Sequence, residues 1–377
     1  MKNTLLLFLL CACLSPTFAQ KLSNKKATSV TKALYKNLHL LSKNYVLFGH
    51  QDDLAYGVGW KYEPNRSDIK DVVNDYPAIY GWDISKIEHQ HDKNIDGVPF
   101  NKMREYIKTA YQKGAVITIS WHADNPLSGG SSWDTTRNTV KAILPNGEKH
   151  ELFKTWLDRA ATFLHSLKGN NGEAIPILFR PFHELKGNWF WWGRNTTSPE
   201  EFKAIWHFTY NYLQNTKKLN NLIWVYNSND FNTEAGFLES YPGDDMVDVL
   251  SFDQYQYGND GKQIFINTVK RQLAITTKLA TERNKLSAFA ETGFESIPDA
   301  VWFTQTLWPA IKDFPLSYVL LWRNAGYDKS TKNMHYYAPY KGQVSANDFK
   351  KFYRNKQVLF EKTLSKKKIY QTKQTAH

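Results

Sequence analysis

Eight short apolar runs recur along the chain, at 45–49, 78–83, 115–122, 175–184, 222–227, 247–255, 286–292 and 318–324, each of strand length. Between most of them the apolar residues repeat at helical spacing: 68–74, 101–113, 151–167, 199–217, 263–283 and 298–313, with a last such segment at 346–364. The fifth crossover, around 233–241, has room for only a short helix. Strands without polar alternation are buried on both faces, so helices must cover them. Eight strand–helix alternations in roughly 330 residues predict an α/β fold of the (β/α)8 TIM barrel type, as a single domain, rather than an open doubly wound sheet. Local signals agree with this division. Ser198-Pro199-Glu200-Glu201 reads as a helix start, with Ser198 as cap, Pro199 in the first turn and Glu201 closing a capping box. Gly114 and Gly169 are expected to stop their helices.

The first residues belong to another category. Lys2, an apolar run at 5–14, Pro16 and the small-residue site Thr17-Phe18-Ala19 read as a cleaved export signal over 1–19, leaving 20–377 as the barrel domain. Both cysteines, Cys11 and Cys13, fall inside that signal, so the mature chain would have neither disulfides nor thiol chemistry. Leu10-Cys11-Ala12-Cys13 offers a lipid-anchoring alternative at Cys13, which Cys11 fits poorly. The expectation is therefore a periplasmic or secreted protein, without a membrane span and monomeric. Its net charge of +12 comes from lysines spread along the chain, clustered only at 365–368. A solvated tail accounts for that cluster, and no nucleic-acid groove is indicated. Aromatics at 15% suit an uncharged ligand with flat faces.

In such a barrel the C-terminal strand ends converge on one pocket. The polar and aromatic residues there are His50, Gln51, Asp83, Trp121, His122, Arg180, His183, Glu184, Asn227, Asp253, Tyr255, Glu291, Trp322 and Arg323. The densest signal is Arg180-Pro181-Phe182-His183-Glu184, followed by Gly187 and the run Trp189-Phe190-Trp191-Trp192. It sets a carboxylate beside sugar-sized flat surfaces. Strands four and seven each deliver a glutamate, Glu184 and Glu291, and a pair of carboxylates about 5 Å apart is what a retaining glycosidase requires. Tyr255 and Arg180 would keep Glu291 ionised, whereas aromatic surroundings would hold Glu184 protonated. Position alone leaves open that Glu184 merely caps a core, that Glu291 is a surface residue and that Arg180 serves a buried ion pair.

Other chemistries fit less well. His183-Glu184 begins like a zinc-protease helix, but Gly187 stands where the second histidine belongs. His89 and His91 could clip a metal, although they lie in a polar loop where chance histidines are common. Gly57-Val58-Gly59 has Tyr62 in place of the third glycine of a dinucleotide cradle, and Ser67-Asp68-Ile69-Lys70 lacks the companion motifs of a penicillin-recognising enzyme. No metal and no cofactor are expected.

The constellation resembles glycoside hydrolase family 26, whose best-known members are β-1,4-mannanases. Arg180-Pro181-Phe182-His183-Glu184 with the aromatic run looks like the family's acid/base motif, and Ala290-Glu291-Thr292-Gly293 like its nucleophile motif. The resemblance implies a (β/α)8 barrel in which Glu184 is the acid/base and Glu291 the nucleophile of a double displacement. It further implies that His183 positions sugar and nucleophile, that Tyr255 hydrogen-bonds the nucleophile, and that Trp189 flanks the cleavage point. His122, in Ser120-Trp121-His122, would lie beside the attacked sugar and Trp322 would stack beneath it. Trp121, Arg180 and Asp83 would support the site, with Gln51 and Arg323 placed by strand position alone. The implied partner is β-mannan, glucomannan or galactomannan, cut internally or by release of mannobiose. β-1,3-Xylan or mixed-linkage β-glucan hydrolysis, and a non-catalytic carbohydrate-binding barrel, remain as alternatives. The segment at 123–150 is the loop expected to shape one end of the groove.

Overall fold

The structure is a computed structural model that describes residues 22–329 and 332–371. The expected export signal and both cysteines lie outside these residues. Eight parallel strands form the barrel: β1 (Val46–Gln51), β2 (Ile79–Asp83), β3 (Val116–Trp121), β4 (Ile177–Pro181), β5 (Leu222–Ser228), β6 (Val249–Gln256), β7 (Leu286–Phe294) and β8 (Tyr318–Leu321). Each pairs with its neighbour in sequence, and β8 pairs back onto β1 with Leu47 opposite Tyr318 and His50 opposite Leu321. Closure leaves no barrel edge unpaired, which permits strands that are apolar on both faces.

Alternation along each strand divides the core in two. One set, Leu47, Ile79, Val116, Leu178, Ile223, Val249, Leu286 and Leu320, packs within the barrel. The residues between them, Phe48, Tyr80, Ile117, Phe179, Trp224, Leu250, Phe289 and Val319, pack outward against the helices. The inner set is continuous with Leu34, Tyr35, Leu38 and Leu41 of the helix Ser29–Leu41. This helix was not among the sequence expectations, and it plugs the barrel floor. The Tyr35 hydroxyl donates to the carbonyl of Asp248 at 3.0 Å, and the buried Asp248 carboxylate accepts from the Ser23 and Trp224 amides.

Several expected boundaries shift for local reasons. The fourth strand ends at Pro181, three residues before Glu184, because Phe182 (φ 51°) and Glu184 (φ 54°) adopt left-handed backbone that no strand continues. The capping box at Ser198 and Glu201 forms, but the helix Pro199–Tyr210 gives way to a wider turn over Asn211–Thr216. The segment at 298–313 narrows to Phe303–Leu307 and Trp308–Ile311, since Pro309 has no N–H to return to the preceding turn. The last segment divides into Ala346–Tyr353, a two-residue strand Val358–Leu359 on β1, and Glu361–Ser365. Gly114 (φ 86°) ends its helix as expected, whereas Gly169 does not: the helix His150–Ser166 is already finished and Gly169 lies in the turn that follows.

One irregularity sets up the functional end of the barrel. Phe252 of β6 faces Phe289 of β7, but the next residue, Asp253, faces Glu291, so β7 holds one extra residue at that point. The same shift recurs against β8, where Val319 faces Phe289 and Leu321 faces Thr292. Leu286, Ala288 and Ala290 point inward before the bulge. Strict alternation would then turn Glu291 outward, and the bulge instead brings it into the barrel mouth.

Candidate active site

Arg180, on β4, continues the inward row begun by Leu178 and sits at the centre of the mouth. Its guanidinium donates to Asp253 Oδ2 at 2.8 Å and to Glu291 Oε1. Burial alone would disfavour its charge, but Asp253 and Glu291 more than offset this and keep it protonated. The Tyr255 hydroxyl donates to the other oxygen, Glu291 Oε2, at 3.0 Å. Tyr255 remains a phenol, since burial first and then the charge of Glu291 push its ionisation far above the ordinary range. Glu291 thus has a donor on each of its side-chain oxygens.

Glu184 is placed by the turn after β4. Its strained backbone N–H donates to Asn227 Oδ1 at 2.8 Å, and the same Asn227 amide donates to Asp253 Oδ1 at 2.8 Å. Its Oε2 accepts from Trp189 Nε1 at 2.8 Å. Carboxylate oxygens of Glu184, Asp253 and Glu291 lie within 4.8 Å of one another. Only Asp253 and Glu291 share Arg180, so Glu184 is left without a cation in contact. Burial, and next the charge of Glu291, push its proton affinity up to about 7. Two glutamates facing one space thereby sit in different electrostatic surroundings, one beside a guanidinium and one without.

Behind them, Asp83 is buried and accepts from Ser120 Oγ at 2.8 Å and His122 Nδ1 at 2.8 Å, and His122 Nε2 meets His183 Nε2 at 3.0 Å. Trp322, half-buried, lies 6.4 Å from His122 between ring centroids. Trp189, at 38% exposure, borders the groove. Of the site residues expected from the sequence, Trp121 departs most: it is 2% exposed in the outer core and its indole N–H donates to Glu88 Oε2 at 3.0 Å, so it has no face toward the groove. The reason is parity. Ser120 points inward to Asp83, so its successor on β3 points out. Gln51 does face inward, in space that Gly81 leaves open: a Cβ there would come within 2.0 Å of Gln51 Oε1. Arg323 pairs with Asp96 at 3.2 Å, away from the two glutamates.

Two contributions were not assigned from the sequence. Asn227 and Asp253 appear there as strand-end polar residues, yet nothing in the chain order shows that one amide holds both Glu184 and Asp253. Trp133, in the loop 123–150, is 48% exposed and stacks on His122 at 5.4 Å and 17°. Ser132 beside it accepts from the Trp191 amide at 3.1 Å, which ties this loop to the one carrying Glu184. A tryptophan following Gly129-Gly130-Ser131-Ser132 was the available signal, since loops on this face carry binding residues. His89 reaches Asp124 at 2.9 Å, and Lys86 Nζ does so at 2.6 Å. That carboxylate therefore already has a cation.

Arg180 is the only guanidinium in contact with the carboxylates of this cluster among the described residues. Arg180→Met is expected to destabilise the fold by about 3–5 kcal/mol, because it strands buried acids without a counter-charge. Urea denaturation checks this, and an unchanged midpoint would exclude the arrangement described.

The family model described as Glycosyl hydrolase family 26 matches residues 23–304. A mannan endo-1,4-beta-mannosidase of Bifidobacterium adolescentis is 31% identical over 350 residues, which cover 88% of this chain; the chain spans 34% of that relative's length. Among solved structures, a GH26 beta-mannanase from Bacteroides ovatus superposes with a TM-score of 0.87 at 43% identity, covering 93% of this chain and 99% of that one. The catalytic domain of a Bacillus sp. JAMB-750 GH26 endo-beta-1,4-mannanase gives a TM-score of 0.85 at 33% identity, covering 93% and 96%. A match that runs through most of the described residues and contains both glutamates leaves one assignment: the chain belongs to glycosyl hydrolase family 26.

Proposed function

We propose that the protein is a retaining β-mannanase that hydrolyses β-1,4-mannosidic bonds by double displacement. The observation that carries this reading is the close approach of Glu184 and Glu291, within 4.8 Å, with Arg180 and Tyr255 bonded to Glu291 alone. That separation leaves no room for a water between Glu291 and the sugar carbon, so Glu291 attacks directly while Glu184 protonates the departing oxygen. A covalent glycosyl-enzyme follows. Glu184, now a base, then activates the water that releases it. Tyr255 and Arg180 orient the attacking carboxylate, and Trp189 fixes the acid while lending an aromatic face to the sugar beyond the cleaved bond.

Mannan as substrate rests on the names of the relatives and on a groove that offers aromatic faces and hydroxyl-reading groups to a neutral chain. The segment 1–19 supports export, and no helix among the described residues is long and apolar enough to cross a membrane. Reducing-sugar release from β-1,4-mannan, galactomannan, β-1,3-xylan and mixed-linkage β-glucan tests the reading. The expected result is turnover on the two mannans with retained configuration in the first-formed product. Faster release from xylan or glucan would reassign the substrate, and mannan binding without release would leave a binding barrel.

A further inference from the structure

The Asp83, His122 and His183 side chains line up beneath the groove, and their hydrogen-bonding atoms admit few proton arrangements. Asp83 accepts four donors: Ser120 Oγ, His122 Nδ1, the Ser85 amide at 2.8 Å and the His122 amide at 3.2 Å. His122 therefore has its Nδ1 protonated. Its Nε2 lies 3.0 Å from His183 Nε2, a contact that needs one hydrogen between two nitrogens. His183 is enclosed by Phe190 at 5.2 Å and Trp192 at 5.9 Å, and its Nδ1 is buried without a partner. A charge is poorly accommodated there, so a His183 that accepts at Nε2 is neutral with its hydrogen on Nδ1, and the His122 ring is the only one of the four donors to buried Asp83 that can carry a balancing charge.

We infer that Asp83 acts as a positioning residue that makes His122 a standing imidazolium, whose Nε2–H is donated to a neutral His183, giving the groove floor a second cation beside Arg180. The acids that act on His122 are Asp83 on β2, Asp96 in the following loop and Glu291 on β7; His183 and the titratable Glu184 meet it from the turn after β4. All three acids favour the charged ring. Its other neighbours, Trp133, Phe190 and Trp322, are uncharged. The direction of proton affinities agrees: burial lowers that of His122 but Asp83, with Glu291 and Asp96, outweighs it, whereas burial, then His122 and Arg180, hold His183 well below the ordinary histidine range. The consequence reaches the acid, because the His122 charge favours the ionised form of Glu184 and so restrains how far burial raises it. The Asp83 pair thus lowers the upper pH at which Glu184 still holds its proton.

Nitrogen-15 spectra of the histidine rings in the intact enzyme test the charge directly, with His122→Gln supplying the assignment. His122 is expected to stay doubly protonated at pH values where a free histidine has already lost its proton, and His183 to stay neutral throughout. A His122 that titrates at about 6.5, or a His183 that supplies the shared hydrogen, overturns the inference. The second measurement uses Asp83→Asn. His122 should then lose its proton by neutral pH, and the alkaline limb of kcat/KM on mannan should move up by roughly half a pH unit or more. A merely structural role for Asp83 would lower activity without moving the limb, and that outcome also overturns it. The activity arm rests on the mannanase reading, but the spectra do not, so the two can fail separately.

Discussion

Replacing Glu291 by alanine is expected to lower kcat on mannan by about 10⁴-fold or more, because the substitution removes the atom that forms the glycosyl-enzyme bond. The fold should survive. Arg180 keeps its 2.8 Å bond to Asp253, so no buried cation is abandoned, and Tyr255 loses a single hydrogen-bond partner. The cavity left by the side chain opens beside a guanidinium and a phenol, which favours entry of a small anion. Azide added to Glu291→Ala should therefore restore partial turnover of an aryl mannobioside and give an α-configured glycosyl azide. Near-normal mannan hydrolysis by this variant, in a protein whose thermal unfolding matches the parent, would remove Glu291 from the role of nucleophile.

Glu184→Gln should be nearly as damaging on mannan, by about 10²–10⁴-fold, but the loss should depend on the leaving group. An amide keeps the 2.8 Å contact with Trp189 and the backbone anchor on Asn227, so geometry is held while the proton is withdrawn. A dinitrophenyl mannobioside needs no protonation on departure. With it the first step should proceed, the glycosyl-enzyme should accumulate for want of a base, and a burst should appear with a depressed KM. The pH profile follows from the same group. Glu184 is raised to about 7 and must be protonated to act as acid, so kcat/KM of the parent should fall as pH rises through that value. In Glu184→Gln that alkaline limb should vanish. A limb that persists unchanged would mean another group supplies the proton.

The contacts on which the proposed division of labour rests were readable from residue types because they are few. A phenol and a guanidinium were expected to hold Glu291 ionised, and both are bonded to it. Glu184 was expected to be raised by aromatic surroundings. Burial is the largest cause, but the charge of Glu291 comes second, and that contribution exists only because the two acids converge in space. Trp121 marks the limit of reading by position: it stands next to His122 in the chain, yet one residue along a strand is the opposite face of the barrel.

Periodicity carries the barrel itself. Eight apolar runs separated by helical stretches can bury their surfaces in very few ways, and the spacing of strand-end residues put both glutamates at the same rim before any contact was known. What periodicity cannot express is an exception to itself. Glu291 reaches the mouth through one extra residue in β7, and Glu184 through left-handed backbone at positions 182 and 184. Both departures cost local energy and persist because distant partners over-determine them: the register of β6 and β8 on one side, the Asn227 amide on the other. Such partners are long-range in sequence, so only the closed barrel brings them to bear.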